Sequence, residues 1–560
     1  MTTSSDMEAP GKAATDAAAN GKFTNKEKSW ILYDWANSVY ATIIVAAVFP
    51  IYFASIAKSA GAAGDVLWGY ASSIATLLIA VSAPFLGAIA DFRGMKKKLF
   101  TIFMLLGVGF TASLGLLSDY RMMLVGYVIS YVGFAGSILF YDSFLTDVTT
   151  PMRMDRVSAY GFAMGYLGGS TIPFLISIAL IMFGDKIGID GTLAVRISCL
   201  MAAAWWYVFS IPMIRNVKQE HYEEKPAGAL ISSALRNLKR TVRDIIGNKA
   251  ILTFMLAYFF YIDGVNTVIH MATVYGSAIG LGATGMILAL LVTQLVAVPC
   301  SILFSRLARK AGSIRMLTIA ICVYLFICIV GFYMGYSLEP SQQAYDRDFT
   351  RHFQQSFNAT TAEPLAEGAR DRLEDQIKTL LTGGRSILSA ETRAADFAEL
   401  VEEQIELTKT IYPAESDQRV VSTALTSFGK EMAVFFTDPT AAADYDKALN
   451  RAGMLFWAMA VLVGSVQGGI QAISRSFFGK LVPPKRSSEY FGFFDIFGKF
   501  AAVIGPALYA FSGAITGRPY VGILSLILLF AGGLIVMFIG RHHLAAAEAS
   551  GIASENGSKV

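Results

Sequence analysis

The stretch GAIADFRGMKKKL, residues 87–99, joins two apolar runs, at 66–90 and 98–117, through a short loop rich in basic residues. A bilayer core about 30 Å thick needs roughly 20 apolar residues at helical rise, so each run is long enough to span a membrane. Basic residues in short loops stay on the cytoplasmic side. The stretch therefore predicts a tight cytoplasmic turn between two membrane helices.

Similar apolar runs recur along the rest of the chain. About twelve are long enough to span a bilayer. They lie near 30–55, 66–90, 98–117, 121–146, 157–183, 191–214, 249–277, 283–307, 314–337, 452–476, 488–512 and 516–541. Loops rich in Lys and Arg alternate with loops poor in them, which predicts that both termini are cytoplasmic. We therefore expect an all-α membrane protein with two six-helix bundles.

The segments between these runs complete the domain organisation. The insertion between the ninth and tenth runs is too long for a simple loop, and its apolar residues Phe397, Leu400 and Val401 have helical spacing. The predicted parts are a disordered cytoplasmic tail at 1–28, an N-terminal bundle at 29–214, a cytoplasmic linker at 215–248, a C-terminal bundle at 249–337 and 452–541, a helical extracytoplasmic insertion at 338–451 and a cytoplasmic tail at 542–560.

Composition and motifs exclude several classes of protein. With 54% hydrophobic and only 16% charged residues, the chain is too apolar to be a soluble protein. A net charge of +4 is not the basic footprint of a nucleic-acid binder. The sequence has no phosphate-binding loop, HExxH or CxxC motif, so we expect no enzyme activity, no cofactor and no metal. Transport driven by a gradient fits best, in the plasma (inner) membrane if the protein is bacterial.

The basic loop at 87–99 also suggests a gate. Asp91 can pair across the cytoplasmic interface, while Arg93 and Lys97 anchor it, so we expect these three residues to form an inner gate. A weaker copy, FSRLARKAGSIRML at 304–317, follows the eighth run. Repetition at equivalent places in the two halves indicates a duplicated six-helix unit.

The loop at 87–99 resembles the signature loop of the major facilitator superfamily. Four further segments narrow the resemblance to the vacuole-effluxer-like, autophagy-related branch, also called the unknown major facilitator family. They are SWILYDWANSVYATIIVAAVFPIYF (29–53), RVSAYGFAMGYLGGS (156–170), FFYIDGVNTVIHMATVYG (259–276) and GGIQAISRSFFGKLVPPKRSSEYFGFFDIFGKFAAVIGPALY (468–509). The resemblance implies the major facilitator fold and, because fungal members are described as vacuolar amino-acid exporters, an amino acid or related solute.

Polar groups inside apolar runs are candidates for function, since charges in hydrocarbon are costly unless they face a cavity or a partner. Asp34 and Asn37 share one helix face. We expect Asn37 to line the cavity and bind the solute, while Asp34 fits either proton coupling or the role of an inner-gate or cap residue. Asp263, Asn266 and His270 follow at i, i+3 and i+7. We expect them to line a central cavity, with Asp263 as the first choice for proton coupling, against the alternative of a structural hydrogen-bond cluster.

The tenth and eleventh runs carry further candidates. Gln467 and Gln471 form an amide-bearing face that fits either solute binding or helix packing. Asp495 and Lys499 are opposite charges four residues apart, which suits either coupling or a structural pair. Arg475 reads as a topological charge at the cytoplasmic end.

Together these features predict a secondary active transporter that moves a small polar solute by alternating access and is coupled to protons. Its expected partners are the solute and the lipid bilayer, without nucleic acid. The alternative is a transporter-like scaffold or receptor whose insertion at 338–451 binds an extracytoplasmic partner or a cell-envelope component.

Overall fold

The computed structural model describes residues 21–224, 230–360, 373, 376–380, 393–411, 415–437 and 442–557. Most of the predicted N-terminal tail, residues 1–20, lies outside the described residues, as do parts of the linker and the insertion.

Within the described residues, twelve helices are long and apolar enough to cross a membrane, which confirms the predicted all-helical membrane fold. We label them α1 to α12 in chain order. They are Asn25–Ser59, Val66–Ala90, Met95–Leu114, Tyr120–Val148, Pro151–Ile187, Gly191–Asn216, Lys249–Ala278, Gly285–Ala311, Ser313–Thr360, Ala443–Leu481, Pro484–Thr516 and Pro519–Ile539. Shorter helices cover Leu230–Gly247 in the linker and Arg393–Ile411 with Glu415–Thr437 in the insertion, and a last helix covers Arg541–Gly557.

The first helix starts earlier than the sequence predicts. Thr24 caps it, because its side chain accepts from the backbone N–H of Glu27 and the Glu27 carboxylate accepts from the N–H of Thr24. Such a capping box satisfies two of the free donors at a helix start. Helix α1 therefore begins at Asn25, inside the segment predicted as a tail.

The helices pack as two groups. In the first, which we call the N bundle, α1 packs on α5 and α6, and α3 packs on α4 and α6. In the second, the C bundle, α7 packs on α11 and α12, while α10 packs on α8 and α9. The two bundles meet through α2 with α11 and through α5 with α8 and α10.

The ends of the helices define two faces. On one, which we call the basic face, Arg153 pairs with Glu27 and Arg486 pairs with Asp244 of the linker helix. The backbone N–H of Ser313, at the start of α9, bonds Glu548 of the last helix there. At about 1.5 Å per residue, the 48 residues of α9 extend about 72 Å, so its far end and the insertion lie on the opposite, insertion face.

The insertion is built on the extended ends of α9 and α10. Its core is aromatic: Phe353 packs on Phe428 with ring centroids 4.9 Å apart, and Tyr345 stacks on Tyr445 at 5.1 Å. Near the membrane, Glu339 accepts from Arg518 and Tyr520 at the start of α12. The described part of the insertion is thus helical, as predicted, and continuous with the C bundle.

Candidate functional site

The two bundles touch backbone to backbone at the basic end of α2 and α11. A Cβ added at Gly87 would lie 2.3 Å from the carbonyl oxygen of Ser488, and one added at Gly492 would lie 2.8 Å from that of Ala83. Both distances are shorter than any ordinary contact, so only glycine fits at these positions. Two helices can approach this closely only where both surfaces are small.

Asp91 fastens this contact. Its two carboxylate oxygens accept hydrogen bonds of 2.9 Å from the backbone N–H groups of Ser488 and Glu489, in the first turn of α11. The first N–H groups of a helix lack partners within the helix and carry its positive dipole end, so a carboxylate is well placed there. Asp91 is buried, and burial raises its pKa to about 7.

At the interface between the bundles lies Lys96, whereas the predicted gate residue Lys97 lies outside it. Lys96 is completely buried, and its ammonium lies 2.8 Å from both Asp147 and the hydroxyl oxygen of Ser487. Adjacent residues lie about 100° apart around a helix axis, so Lys97 faces away from the interface that Lys96 enters. Lys97 lines an open groove instead, together with Arg93, whose pair with Glu224 is exposed and spans 3.8 Å.

A second cluster lies deeper, around Arg475 of α10. Its guanidinium is 3.1 Å from a carboxylate oxygen of Asp34 in α1 and 2.9 Å from one of Asp142 in α4. It also donates to the hydroxyl and the carbonyl oxygen of Ser158 in α5. The interpretation of Arg475 as a topological charge is therefore wrong, because this arginine joins the C bundle to three helices of the N bundle.

Aromatic rings enclose the same guanidinium. The guanidinium carbon Cζ of Arg475 lies 4.6 Å from the ring centroid of Trp30 and 4.3 Å from that of Phe162. Cation–π contacts of this kind stabilise an arginine that has lost its water. The side chains of Arg475 and Asp34 are only 5% and 12% exposed, so this is a largely desolvated ionic cluster. When one partner of a buried ion pair is removed, the charge of the other partner is left uncompensated.

A third interbundle contact involves Asp155 of α5. Its carboxylate accepts from the Ser476 hydroxyl at 2.5 Å and lies 2.6 Å from the ammonium of Lys480, both in α10. Asp91, Arg475 and Asp155 thus anchor three separate links between the bundles. All three lie at or towards the basic face.

The polar stripe on α10 continues from Arg475 away from the basic face. Gln471 and Gln467 follow at intervals of four residues, so the three side chains share one face of the helix. The buried side-chain atoms without a hydrogen-bond partner among the described residues include the Gln467 carbonyl oxygen, the Asn37 amide nitrogen and the Tyr166 hydroxyl. The Tyr166 hydroxyl and the Gln467 amide lie close enough to interact with each other. Buried polar groups are nearly always satisfied, so the Asn37 nitrogen is available to a bound solute or water.

Asp263 and His270 have different surroundings. Asp263 is fully buried, and one carboxylate oxygen accepts from the backbone N–H of Gly505 in α11 at 2.9 Å, while the other has no hydrogen-bond partner in the described structure. His270 is exposed, with its ring nitrogen Nδ1 2.7 Å from the carbonyl oxygen of Asn266. Asp263 therefore faces α11, and these three residues do not form one contacting cluster.

Asp495 and Lys499 pair with each other within α11, and both are mostly buried. The Asp495 carboxylate is also close enough to Asp142 for their charges to interact. The pair therefore borders the Arg475 cluster. Together, Asp34, Asp142, Asp495, Arg475 and Lys499 carry three negative and two positive charges when all are ionised.

The C bundle contains an apolar cavity of about 80 Å³, towards the insertion face. Val268, Leu290, Ile327 and Met459 are among the residues that line it, and Gln467 lies at one end. The cavity thus adjoins the polar stripe of α10. In the part of the chain that the structure describes, no three His, Cys, Asp or Glu side chains come together as a metal site would require.

The glycines of α5 pack inside the N bundle. Cβ atoms at Gly168 and Gly169 would lie 1.9 Å from Trp35 and 2.4 Å from Ser38, both in α1. The α1 and α5 backbones both widen to π-helical turns in this region, at Ala41–Ala47 and Gly165–Thr171. Such widened turns are frequent at functional sites, and here they lie beside the polar cluster.

Comparison with known proteins places this architecture among transporters. The family profile described as "Vacuole effluxer Atg22 like" matches residues 66–152, 146–342 and 451–550. An uncharacterized MFS-type transporter of Bacillus subtilis, YxiO, is 34% identical over 92% of this chain and 95% of its own length. The autophagy-related protein 22 of Botryotinia fuckeliana is 22% identical over 34% of each chain.

Among solved structures, a bacterial homologue of the iron transporter ferroportin in its outward-facing state superimposes with a TM-score of 0.50. The alignment covers 93% of this chain and 98% of that protein, at 10% sequence identity. At this identity the likeness concerns the fold alone.

Proposed function

Because the chain belongs to the vacuole effluxer Atg22-like family of major facilitator transporters, we propose that it moves an amino acid or a related small polar solute by alternating access, coupled to protons. The observation that carries this proposal is Arg475, which two carboxylates of the opposite bundle hold in a desolvated cluster. Such a cluster is stable only while the bundles stay together on this side, and it offers groups of both charges to a solute.

A zwitterion suits this cluster. Its carboxylate matches the guanidinium of Arg475, and its ammonium matches Asp34 or Asp142, so it could replace the interbundle ion pairs with pairs to itself. The Asn37 amide would then add a hydrogen bond to the solute, and the neighbouring Tyr166 and Gln467 side chains could turn towards it. Gln471 lies one turn from Arg475 on the same stripe, between the cluster and Gln467.

Asp263 supports proton coupling. An ionised carboxylate without a neighbouring cation is costly in a membrane interior, and the described residues place none in contact with Asp263. We therefore assign it a proton in this conformation, to be released when α7 and α11 separate. Asp34, Asp495 and Lys499 are the further coupling candidates, since they belong to or border the Arg475 cluster.

The basic face is proposed to be cytoplasmic, because its loops carry the basic residues. The conformation would then be closed inside and open outside. Gly69 of α2 and Gly513 of α11, at the other ends of the two helices that clamp the basic face, have no atom within 4 Å of an added Cβ. The proposed inner gate comprises Asp91, Lys96 and Asp147, with Arg93 and Lys97 on its outer surface.

Uptake by proteoliposomes tests the function. A panel of labelled amino acids is supplied with and without a pH gradient, and we expect accumulation only with the gradient. Arg475→Lys should lower the apparent affinity at least tenfold, because a lysine cannot bridge two carboxylates in the same way. Asp263→Asn should fold but lose the response to the gradient. Asp444→Asn, at an exposed position in the extended part of α10, is the matched control.

Two outcomes would contradict the proposal. Wild-type affinity in Arg475→Lys would remove the cluster from solute binding, and gradient-driven accumulation by Asp263→Asn would remove that carboxylate from coupling. If folded wild-type protein transported no amino acid but did transport another solute from a panel of sugars and peptides, the solute class would be wrong while the transporter assignment stood.

A further inference from the structure

We infer that an anionic phospholipid binds on the basic face, with its phosphate in a basic groove and one acyl chain along α3. The groove, which we call the lipid groove, has a volume of about 750 Å³ and is lined on one side by α3 and on the other by the segment that leaves α6. Its cationic lining residues are Arg93, Lys97, Lys98 and Lys218.

The charge in the lipid groove is poorly compensated. The ion pair of Arg93 with Glu224 spans 3.8 Å between two side chains that are more than half exposed, so it contributes little. The ammonium groups of Lys97 and Lys218 are close enough to repel each other. A phosphate between them would relieve that repulsion, and basic pockets at this level of a membrane protein attract anionic headgroups.

Hydrogen bonds hold the wall of the lipid groove opposite α3 in place before any ligand binds. The side-chain amide of Gln219 donates to the carbonyl oxygen of Ala90 at 3.0 Å. The N–H of Glu223 bonds the carbonyl oxygen of Asp91 at 2.8 Å, and the N–H of Arg93 bonds that of Glu223 at 3.0 Å. These bonds fix the segment that carries Lys218, so binding does not have to order it.

A second, apolar groove continues from the lipid groove. It favours a lipid over a soluble anion, because only a lipid has an acyl chain that could fill it. Ile102 lines both grooves, and the second runs along α3 past Leu105, Gly109 and Phe110. A Cβ at Gly109 would meet no atom within 4 Å, so the groove is open there. From Ile102 to Phe110 the helix rises about 12 Å, enough to hold part of an acyl chain.

Thermal unfolding of the purified full-length protein in neutral detergent tests the inference. Dioleoyl-phosphatidylglycerol, dioleoyl-phosphatidylcholine and inorganic phosphate are titrated separately, because a ligand that binds the folded state raises the apparent stability. We expect stabilisation by phosphatidylglycerol alone. The triple substitution Lys97→Ala, Lys98→Ala, Lys218→Ala should weaken its apparent affinity at least tenfold.

The matched control is the triple substitution Lys239→Ala, Lys249→Ala, Lys485→Ala, which removes the same charge from exposed positions on the same face. It should retain the wild-type affinity. Gly109→Leu fills the apolar groove without changing any charge, so it should also weaken binding of phosphatidylglycerol. This second variant keeps the test decisive if the groove triple fails to fold.

Four results would overturn the inference. The groove triple could bind phosphatidylglycerol as tightly as the wild type, or the control triple could lose as much affinity, which would indicate diffuse attraction to the whole face. Equal stabilisation by inorganic phosphate would indicate a soluble anion as the ligand. Unchanged affinity in Gly109→Leu would remove the acyl chain from the site.

Discussion

The substitution Gly87→Ala should open the basic face. The added Cβ would lie 2.3 Å from the carbonyl oxygen of Ser488, whereas ordinary contacts begin near 3.4 Å, so α2 and α11 must separate by about 1 Å. The atom that blocks it belongs to the backbone and cannot rotate away. Gly69→Ala is the matched control, because it lies on the same helix and its Cβ would meet nothing within 4 Å.

This separation would break the hydrogen bonds to Asp91 that hold the two bundles together in the closed state. The hydrogen bonds from Ser488 and Glu489 to Asp91 are 2.9 Å long, and a further 1 Å takes them to about 4 Å, beyond hydrogen-bonding distance. Hydrogen bonds to a charged group contribute about 1.5–3 kcal/mol each. Loss of both therefore destabilises the closed state by about 3 kcal/mol or more, a factor of at least about 100 in its population relative to the open state.

Labelling of a buried cysteine measures this shift. Ser143 is fully buried at the same interface, with its hydroxyl oxygen 3.1 Å from that of Ser488. Ser143→Cys is introduced into a protein whose four native cysteines have been replaced, and its reaction with a bulky maleimide is followed at pH 8. We expect Gly87→Ala to accelerate labelling at least tenfold and Gly69→Ala to leave it unchanged. Equal rates in all three proteins, with the fold intact, would refute the reasoning.

Three further predictions use the same labelling assay or simple variants. Burial raises the pKa of Asp91 to about 7 in the closed state, so closure of the basic face takes up a proton. The free energy of closure should therefore be most favourable near pH 4 and become less favourable as the pH rises to about 7. Thiolate reactivity itself rises with pH, so the Asp91→Asn variant with the same cysteine serves as the reference. Relative to that reference, labelling should accelerate more steeply over this range, and equal pH profiles would contradict the prediction. Gly492→Ala should also accelerate labelling, since its Cβ would lie 2.8 Å from Ala83, whereas Gly109→Ala should not. If the insertion is not needed for transport, a variant in which a short linker replaces residues 340–450 should still transport the solute. Loss of transport by a folded deletion variant would contradict this prediction.

Much of the architecture could be predicted because bilayer thickness constrains sequence so strongly. The twelve apolar runs correspond to twelve long helices among the described residues, because a backbone in lipid must satisfy its hydrogen bonds within the helix. The long insertion was predicted to be helical from its apolar spacing, and its described part is helical. The loop at 87–99 also indicates that Asp91 pairs across the interface, where it accepts from the backbone of Ser488 and Glu489.

The details of the site could not be predicted, because a sequence gives the depth of a residue in the membrane but not the direction in which its helix turns it. Lys96 and Lys97 are equally basic, yet only Lys96 enters the interface. Arg475 lies at the end of an apolar run, which usually signals topology alone. Its spacing of eight residues from Gln467 was the available clue, because it continues the same helix face.

Asp263 shows the same limit in another form. Its spacing to Asn266 and His270 correctly gives one side of α7, but that side is shared between α11 and an exposed surface. Helical spacing alone therefore cannot show that tertiary packing buries Asp263 against α11 and leaves His270 exposed.

The most direct measurement is a reversible disulfide across the basic face. Ser143→Cys and Ser488→Cys, combined in the cysteine-free protein, place two thiols where hydroxyl oxygens from α4 and α11 are now 3.1 Å apart. If the bundles must separate here in every transport cycle, oxidation should stop uptake of the transported solute and a reductant should restore it, while each single substitution remains active. Undiminished uptake by the fully cross-linked protein would show that this face does not open during transport.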